Sequence, residues 1–202
     1  KNLLVELSDG SKIYLNRNSE LTYRKNFGRK DRRVFLSGEA FFEIAPDLTK
    51  PFVIDAGRAK VKVVGTSFNV ITDNQNSEVE VFVKSGKVLL SDTENTRTVE
   101  LVPGDVGKIN ASIAEKTINS NPNYLSWNTG LLVYDGQTLE VVFRDLKRVY
   151  NMDIKADDRS ILENRWTSPI DNQKEETIIK LICASFNLDY AQDGNVYHLV
   201  KK

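Results

Sequence analysis

The chain is poor in the residues that most often build reactive centres: 202 residues include one cysteine, one histidine and one methionine. A lone Cys183 cannot close an internal disulfide, and together with the distant His198 it falls short of the His, Cys and carboxylate clusters that hold transition metals. Asp153, Asp157 and Asp158 lack the spacing of a calcium loop, and Gly57 and Gly65 belong to no phosphate loop. No metal and no cofactor are therefore expected. No Gly-x-Ser-x-Gly elbow offers His198 a nucleophile to activate, so a serine hydrolase is not indicated. Cys183 falls at helical spacing with Ile179 and Phe186 and reads as a small core residue. Surplus charge is missing too. Lys plus Arg number 28 and Asp plus Glu 28, whereas a nucleic-acid binder concentrates positive charge to displace phosphate counterions. The pairs Arg24-Lys25 and Arg32-Arg33 read as solvated faces. No run approaches the ~20 apolar residues that cross a bilayer. The chain begins at Lys1 without a leader and its sole methionine is Met152, so we expect a piece of a longer protein, with any membrane anchor outside it.

What is present is ordinary globular material, 40% hydrophobic and 28% charged, in a chain long enough to bury roughly 70% of its unfolded surface. Up to about residue 113 the hydrophobic pattern alternates with period two and breaks every eight to twelve residues, the mark of an all-β sandwich or solenoid. Val5 and Leu7 precede the turn Ser8-Asp9-Gly10-Ser11 and Ile13 and Leu15 follow it, which predicts a hairpin. Further strands are predicted at 33–36, 40–44, 52–55, 59–64, 68–72, 78–83, 88–91, 99–101 and 106–109. In the strand at 78–83, Val79, Val81 and Val83 share one face against Glu78, Glu80 and Phe82 on the other. Glu39 and Glu43 share a strand face, but four residues at about 3.3 Å each separate them by roughly 13 Å, too far for a glycosidase pair.

The polar stretch 119–123, with Pro122, marks a boundary between an all-β domain at 1–118 and an α+β domain at 119–202. In the second domain a strand at 130–134 is followed by a helix in which Leu139, Val142, Phe143, Leu146, Val149 and Tyr150 recur at helical spacing, with Thr138 as N-cap, and a strand at 152–156. A second unit repeats this as a strand at 166–170, a helix at 174–186 burying Ile178, Ile179, Ile182 and Phe186, and strands at 188–192 and 196–200 joined at Asp193-Gly194. Asn172 and Glu175 have the spacing of a capping box. The order is βαβ then βαββ.

The blocks Leu7-Ser8-Asp9-Gly10-Ser11, Leu36-Ser37-Gly38-Glu39-Ala40-Phe41-Phe42-Glu43, Pro51-Phe52-Val53-Ile54, Gly65-Thr66-Ser67-Phe68-Asn69-Val70, Val83-Lys84-Ser85-Gly86-Lys87-Val88 and Leu101-Val102-Pro103-Gly104-Asp105 follow one another in an order that resembles the FecR domain family. The segment from Tyr124 to Gly130 and the two β-α-β units after it are similar to the C-terminal domain that accompanies FecR domains in Bacteroidetes-type regulators, a domain like the short N-terminal (STN) domain of secretins and TonB-dependent transporters. The resemblance implies a non-enzymatic anti-sigma factor: a single-pass inner-membrane protein with this region in the periplasm. It further implies signal transduction by protein–protein interaction. The signalling domain of a TonB-dependent outer-membrane transporter would bind here, and an extracytoplasmic-function (ECF) sigma factor would be controlled through a cytoplasmic segment absent from this sequence. Which transporter, and whether it carries an iron chelate or a glycan, is left open by the residues.

Small βαβ domains leave strand edges open to a partner strand, and the expected binding residues are Trp166, Thr167, Ser168 and Ile170 in one strand and Val196, Tyr197 and His198 in the last. Tyr124 and Trp127 are expected to dock the linker on a domain surface. The alternative is a carbohydrate-binding β-sandwich module with an appended α+β domain, using Phe41, Trp127 and Tyr23 as an aromatic platform.

Overall fold

The structure is a computed structural model describing residues 2–73 and 78–202, and the chain divides into two compact units, Lys1–Ser120 and Asn121–Lys202. Unit 1 is built from strands alone: β1 (Leu3–Glu6), β2 (Lys12–Leu15), β3 (Glu20–Tyr23), β4 (Arg32–Ser37), β5 (Glu39–Glu43), β6 (Phe52–Ala56) and β7 (Ala59–Val63). Then follow β8 (Ser67–Asp73), β9 (Glu78–Ser85), β10 (Val88–Asp92), β11 (Thr98–Leu101), β12 (Asp105–Ile109) and β13 (Ala114–Ile118). They form a seven-stranded sheet ordered β1-β2-β5-β8-β9-β12-β13 and a six-stranded sheet ordered β11-β10-β7-β6-β4-β3. Period-two alternation gives each sheet one apolar face. Ile13, Phe42, Phe68 and Val81 from the first and Val34, Ile54, Val61 and Leu90 from the second join a single buried cluster, so unit 1 is a two-layer sandwich. Two edge strands, β3 and β13, were not expected from the pattern. Both are mostly exposed, so their hydrophobic alternation is weak.

The basic pair Arg32-Arg33 is not a solvated face. Arg33 is half-exposed and bonds Asp55 at 2.8 Å on the outer face of the sheet, but Arg32, the residue before it, points inward and is 2% exposed. Its guanidinium donates to Asp9 Oδ2 (3.2 Å), Ala45 O (2.7 Å), Lys50 O (2.7 Å, through Nε) and Asp47 O (3.3 Å), and it lies 5.9 Å from the Phe52 ring centroid. Asp9 accepts from the Ser11 amide (2.9 Å) and hydroxyl (3.0 Å), while Ser11 Oγ accepts from the Ala45 amide (3.0 Å). One buried cation thus ties the first hairpin turn to the 45–50 loop, and a planar fork of donors is what satisfies four acceptors at once.

Unit 2 contains α1 (Ser126–Thr129), β14 (Leu131–Leu132), β15 (Gln137–Thr138), α2 (Leu139–Tyr150), β16 (Asp153–Ala156), α3 (Arg159–Glu163), β17 (Arg165–Trp166), β18 (Ile170–Asp171), α4 (Glu175–Phe186), β19 (Leu188–Asp193) and β20 (Val196–Lys201). The two long helices cover one face of a three-stranded sheet ordered β16-β20-β19, in which β16 runs parallel and β19 antiparallel to β20. Leu139, Val142, Leu146, Ile178, Ile179 and Ile182 meet Tyr197 and Leu199 in its core, and Cys183 lies there with its thiol pushed up by burial. Both helices end on an asparagine in the left-handed region, Asn151 and Asn187, which passes the chain straight into the next strand. No capping box forms at Asn172: the N-cap of α4 is Lys174, and the Asn172 side chain donates instead to Thr129 O through Nδ2.

Replacing Arg32 with Ala should strip four acceptors of their donor and leave Asp9 without its cation, at a cost of about 3–5 kcal/mol. Arg32→Lys should recover only part of this, having no fork. Both tryptophans, Trp127 and Trp166, lie in unit 2. Urea unfolding followed by circular dichroism should therefore shift while the tryptophan transition stays in place. Equal midpoints for wild type and Arg32→Ala would remove the network's role.

Candidate partner-binding site

The three-stranded sheet of unit 2 is covered on one side only. Odd-numbered Tyr197 and Leu199 face the helices, whereas Val196, His198 and Val200 of β20 face outward beside Lys155 of β16 and Ala191 of β19. The outward row is short and mixed, with small apolar side chains flanked by charges.

The expected binding residues are not brought together. The segment predicted as one strand at 166–170 is two short strands: β17 pairs with β15 and β18 with β14, and the chain turns between them. The Trp166 indole N–H donates to Ser168 O at 2.7 Å, and the Gly136 amide donates to both Trp166 O and Thr167 Oγ1. Trp166 is 6% exposed and Ile170 1%, so neither is available to a partner, while Thr167 and Ser168 are exposed. The signal was in the sequence: Pro169 has no N–H for a ladder and bends its predecessor out of a regular strand. The final strand is likewise no edge. β20 is central, paired on both sides, and Tyr197 is 1% exposed with its hydroxyl held 3.3 Å from Glu175. Only Val196 and His198 of that trio reach the open face.

The aromatic platform of the carbohydrate reading is also absent. Phe41 is 1% exposed beneath Lys84, whose ammonium lies 5.5 Å from the ring centroid, Trp127 is buried in α1, and Tyr23 packs edge-on to Phe27 in β3. Glu39 is bonded by Asn16 (2.7 Å) and Asn69 (3.0 Å).

The start of unit 2 is held by a side chain acting as a strand. Asn123 accepts from the Val133 amide (2.8 Å) and donates to Val133 O (3.0 Å) and Asp145 (3.2 Å), so it pairs both peptide groups of the residue after β14. Tyr134 beside it has its hydroxyl pushed well above its usual range, by burial first and by the Asp145 charge second. Tyr124 is buried with the Arg148 guanidinium 5.5 Å from its ring centroid.

Among the described residues no group of three or more His, Cys, Asp or Glu side chains could hold a metal ion, and no helix is long and apolar enough to cross a membrane. The chain matches the family described as FecR protein over residues 1–89 and the one described as FecR, C-terminal over residues 131–199. It belongs to the FecR family of anti-sigma factors, which are signalling regulators. Two crystal structures, at 1.65 and 2.50 Å resolution, of "a putative anti-sigma factor from Parabacteroides distasonis ATCC 8503" are similar along the whole chain. Each is 28% identical, covers 100% of this chain and 95% of that one, and superposes with a TM-score of 0.68 or 0.67. No curated protein matches the chain.

Two carboxylates report on local stability. Asp92 is held at about 2, chiefly by the Thr96 hydroxyl at 2.7 Å, with the Arg97 amide and guanidinium adding to it. Asp158 is held at about 2 chiefly by Lys201, then by the Ser160 amide that it caps. A free aspartate titrates near ~3.9, so the folded state prefers both groups ionised. Their contribution is complete above about pH 4 and is lost as pH falls toward 2. In Asp92→Asn the acid-limb loss should shrink in the dichroism transition of unit 1, and in Asp158→Asn in the tryptophan transition of unit 2. Urea midpoints measured from pH 7 to 2 check this, and unchanged acid limbs would contradict it.

Proposed function

We propose that this chain is the periplasmic, signal-receiving region of a membrane-anchored anti-sigma factor. Unit 2 binds the signalling domain of a TonB-dependent outer-membrane transporter, and the signal passes to an ECF sigma factor through a cytoplasmic segment outside this sequence. The observation that carries the reading is the pairing, in one chain, of a FecR segment with a FecR C-terminal segment that forms a small α+β unit, whose sheet has one uncovered face and outer strands without a further strand partner among the described residues. An unpaired strand edge offers backbone donors and acceptors to an incoming strand, and an uncovered face offers side chains that give specificity. Of the residues expected to meet the partner, Val196 and His198 on the open face and Thr167 and Ser168 on the loop between β17 and β18 are accessible. Unit 1, whose apolar faces are mutually satisfied, serves as the rigid element that carries the receiver.

Titrating the full 202-residue chain with the purified signalling domain of the TonB-dependent transporter encoded beside it should give one-to-one binding with a Kd of about 1–100 μM, a transient signalling affinity. Absence of heat up to about 1 mM would overturn the assignment.

A further inference from the structure

The two outer edges of the unit 2 sheet are not equivalent. In β16 the Asp153 amide donates to Asn195 O (2.8 Å) and the Asp157 amide to Leu199 O (3.1 Å). A parallel ladder alternates, so the peptide groups of Asp153, Lys155 and Asp157 are turned toward β20, and those of Ile154 and Ala156 toward the outer edge. That edge has no strand partner among the described residues.

Beside it runs a groove of about 300 Å³ between α2, β16 and α3, floored by Phe143, Ile154 and Leu162. On its rim Lys147 is paired with Asp153 at 3.1 Å, but Glu140 and Arg144, one turn apart on α2 and both exposed, make no ion pair among the described residues. Beside that ion pair the rim therefore carries one exposed anion and one exposed cation in fixed order along the helix. The opposite edge differs: Gln192 of β19 turns back to bond Gly194 O and Tyr197, and Lys202 approaches Asp189.

We infer that β16 is the docking edge, and that its occupant is an extended segment of a folded partner protein that adds as a fourth strand, seats an apolar side chain on Phe143, Ile154 and Leu162, and presents a carboxylate to Arg144 with a cation one turn away for Glu140. Strand addition supplies affinity through the Ile154 and Ala156 peptide groups, and the two rim charges set direction, since a reversed segment would face like with like. This rests on unit 2 being the receiver of a partner protein, as proposed above.

The test is calorimetry of the full chain against the purified signalling domain of the adjacent TonB-dependent transporter. Arg144→Glu reverses an exposed charge and should weaken binding by about tenfold or more. Ala156→Pro removes an outward amide while leaving the ladder to β20 intact, and should weaken it comparably. Asp189→Lys, on the other edge, should change it less than about twofold. Arg144→Glu decides independently of whether Ala156→Pro folds, which its tryptophan transition reports. If wild type binds and Arg144→Glu binds equally well, the β16 assignment falls while the chain remains a receiver, and if Asp189→Lys is the variant that fails, the site moves to the β19 edge of unit 2. If wild type does not bind, both readings fall.

Discussion

A peptide group in a strand must find a hydrogen-bond partner or remain in water, and this constraint organises both units. In the sandwich, strands are paired into two broad sheets whose apolar faces close on each other, and the edge strands β3 and β13 are short and largely polar on their exposed sides. In unit 2 the same rule is met less completely. Asn123 stands in for a missing strand at Val133, and β20 is satisfied on both sides, but the outer edges of β16 and β19 have no strand partner among the described residues.

The Arg32 network shows how the family-like blocks in the sandwich are used. Leu7-Ser8-Asp9-Gly10-Ser11 resembles a plain hairpin turn, yet its Asp9 and Ser11 are half of a buried constellation completed by Arg32 and the carbonyls of the 45–50 loop. Removing a guanidinium from water is costly, and the cost is offset because four of its five N–H donors meet acceptors. The motif is thus about architecture, and no chemistry follows from it. Gly65 and Gly86 have the same character: a Cβ at Gly65 would stand 2.9 Å from Pro46 Cα, and one at Gly86 2.8 Å from Gly65 O.

Much of the fold was readable in the sequence, for reasons that lie in local geometry. Val79, Val81 and Val83 alternate with Glu78, Glu80 and Phe82, and β9 buries the valines. The apolar stripe of α2 recurs at helical spacing and packs as such. The candidate site was much less readable. Tyr197 and Trp166 read as partner-facing yet are buried, since strand alternation gives two faces without saying which is covered. Arg32 reads as solvated because it stands among scattered charges, whereas one step along a strand exchanges inside for outside and buries it. α3 escaped notice at five residues, too short to set up a helical period.

By itself the sequence determined the local grammar of this protein: period-two faces, Asp-Gly turns, two amphipathic helices, and a residue inventory in which cysteine and histidine are too scarce to suggest a reactive centre. These follow from steric and hydrophobic preferences acting over a few residues. Only the tertiary structure decided that Arg32 is buried, that β20 is the central strand, and that β16 lies open beside a groove. Each depends on which segments, distant along the chain, become neighbours, and strand pairing is a long-range choice that local pattern leaves undetermined.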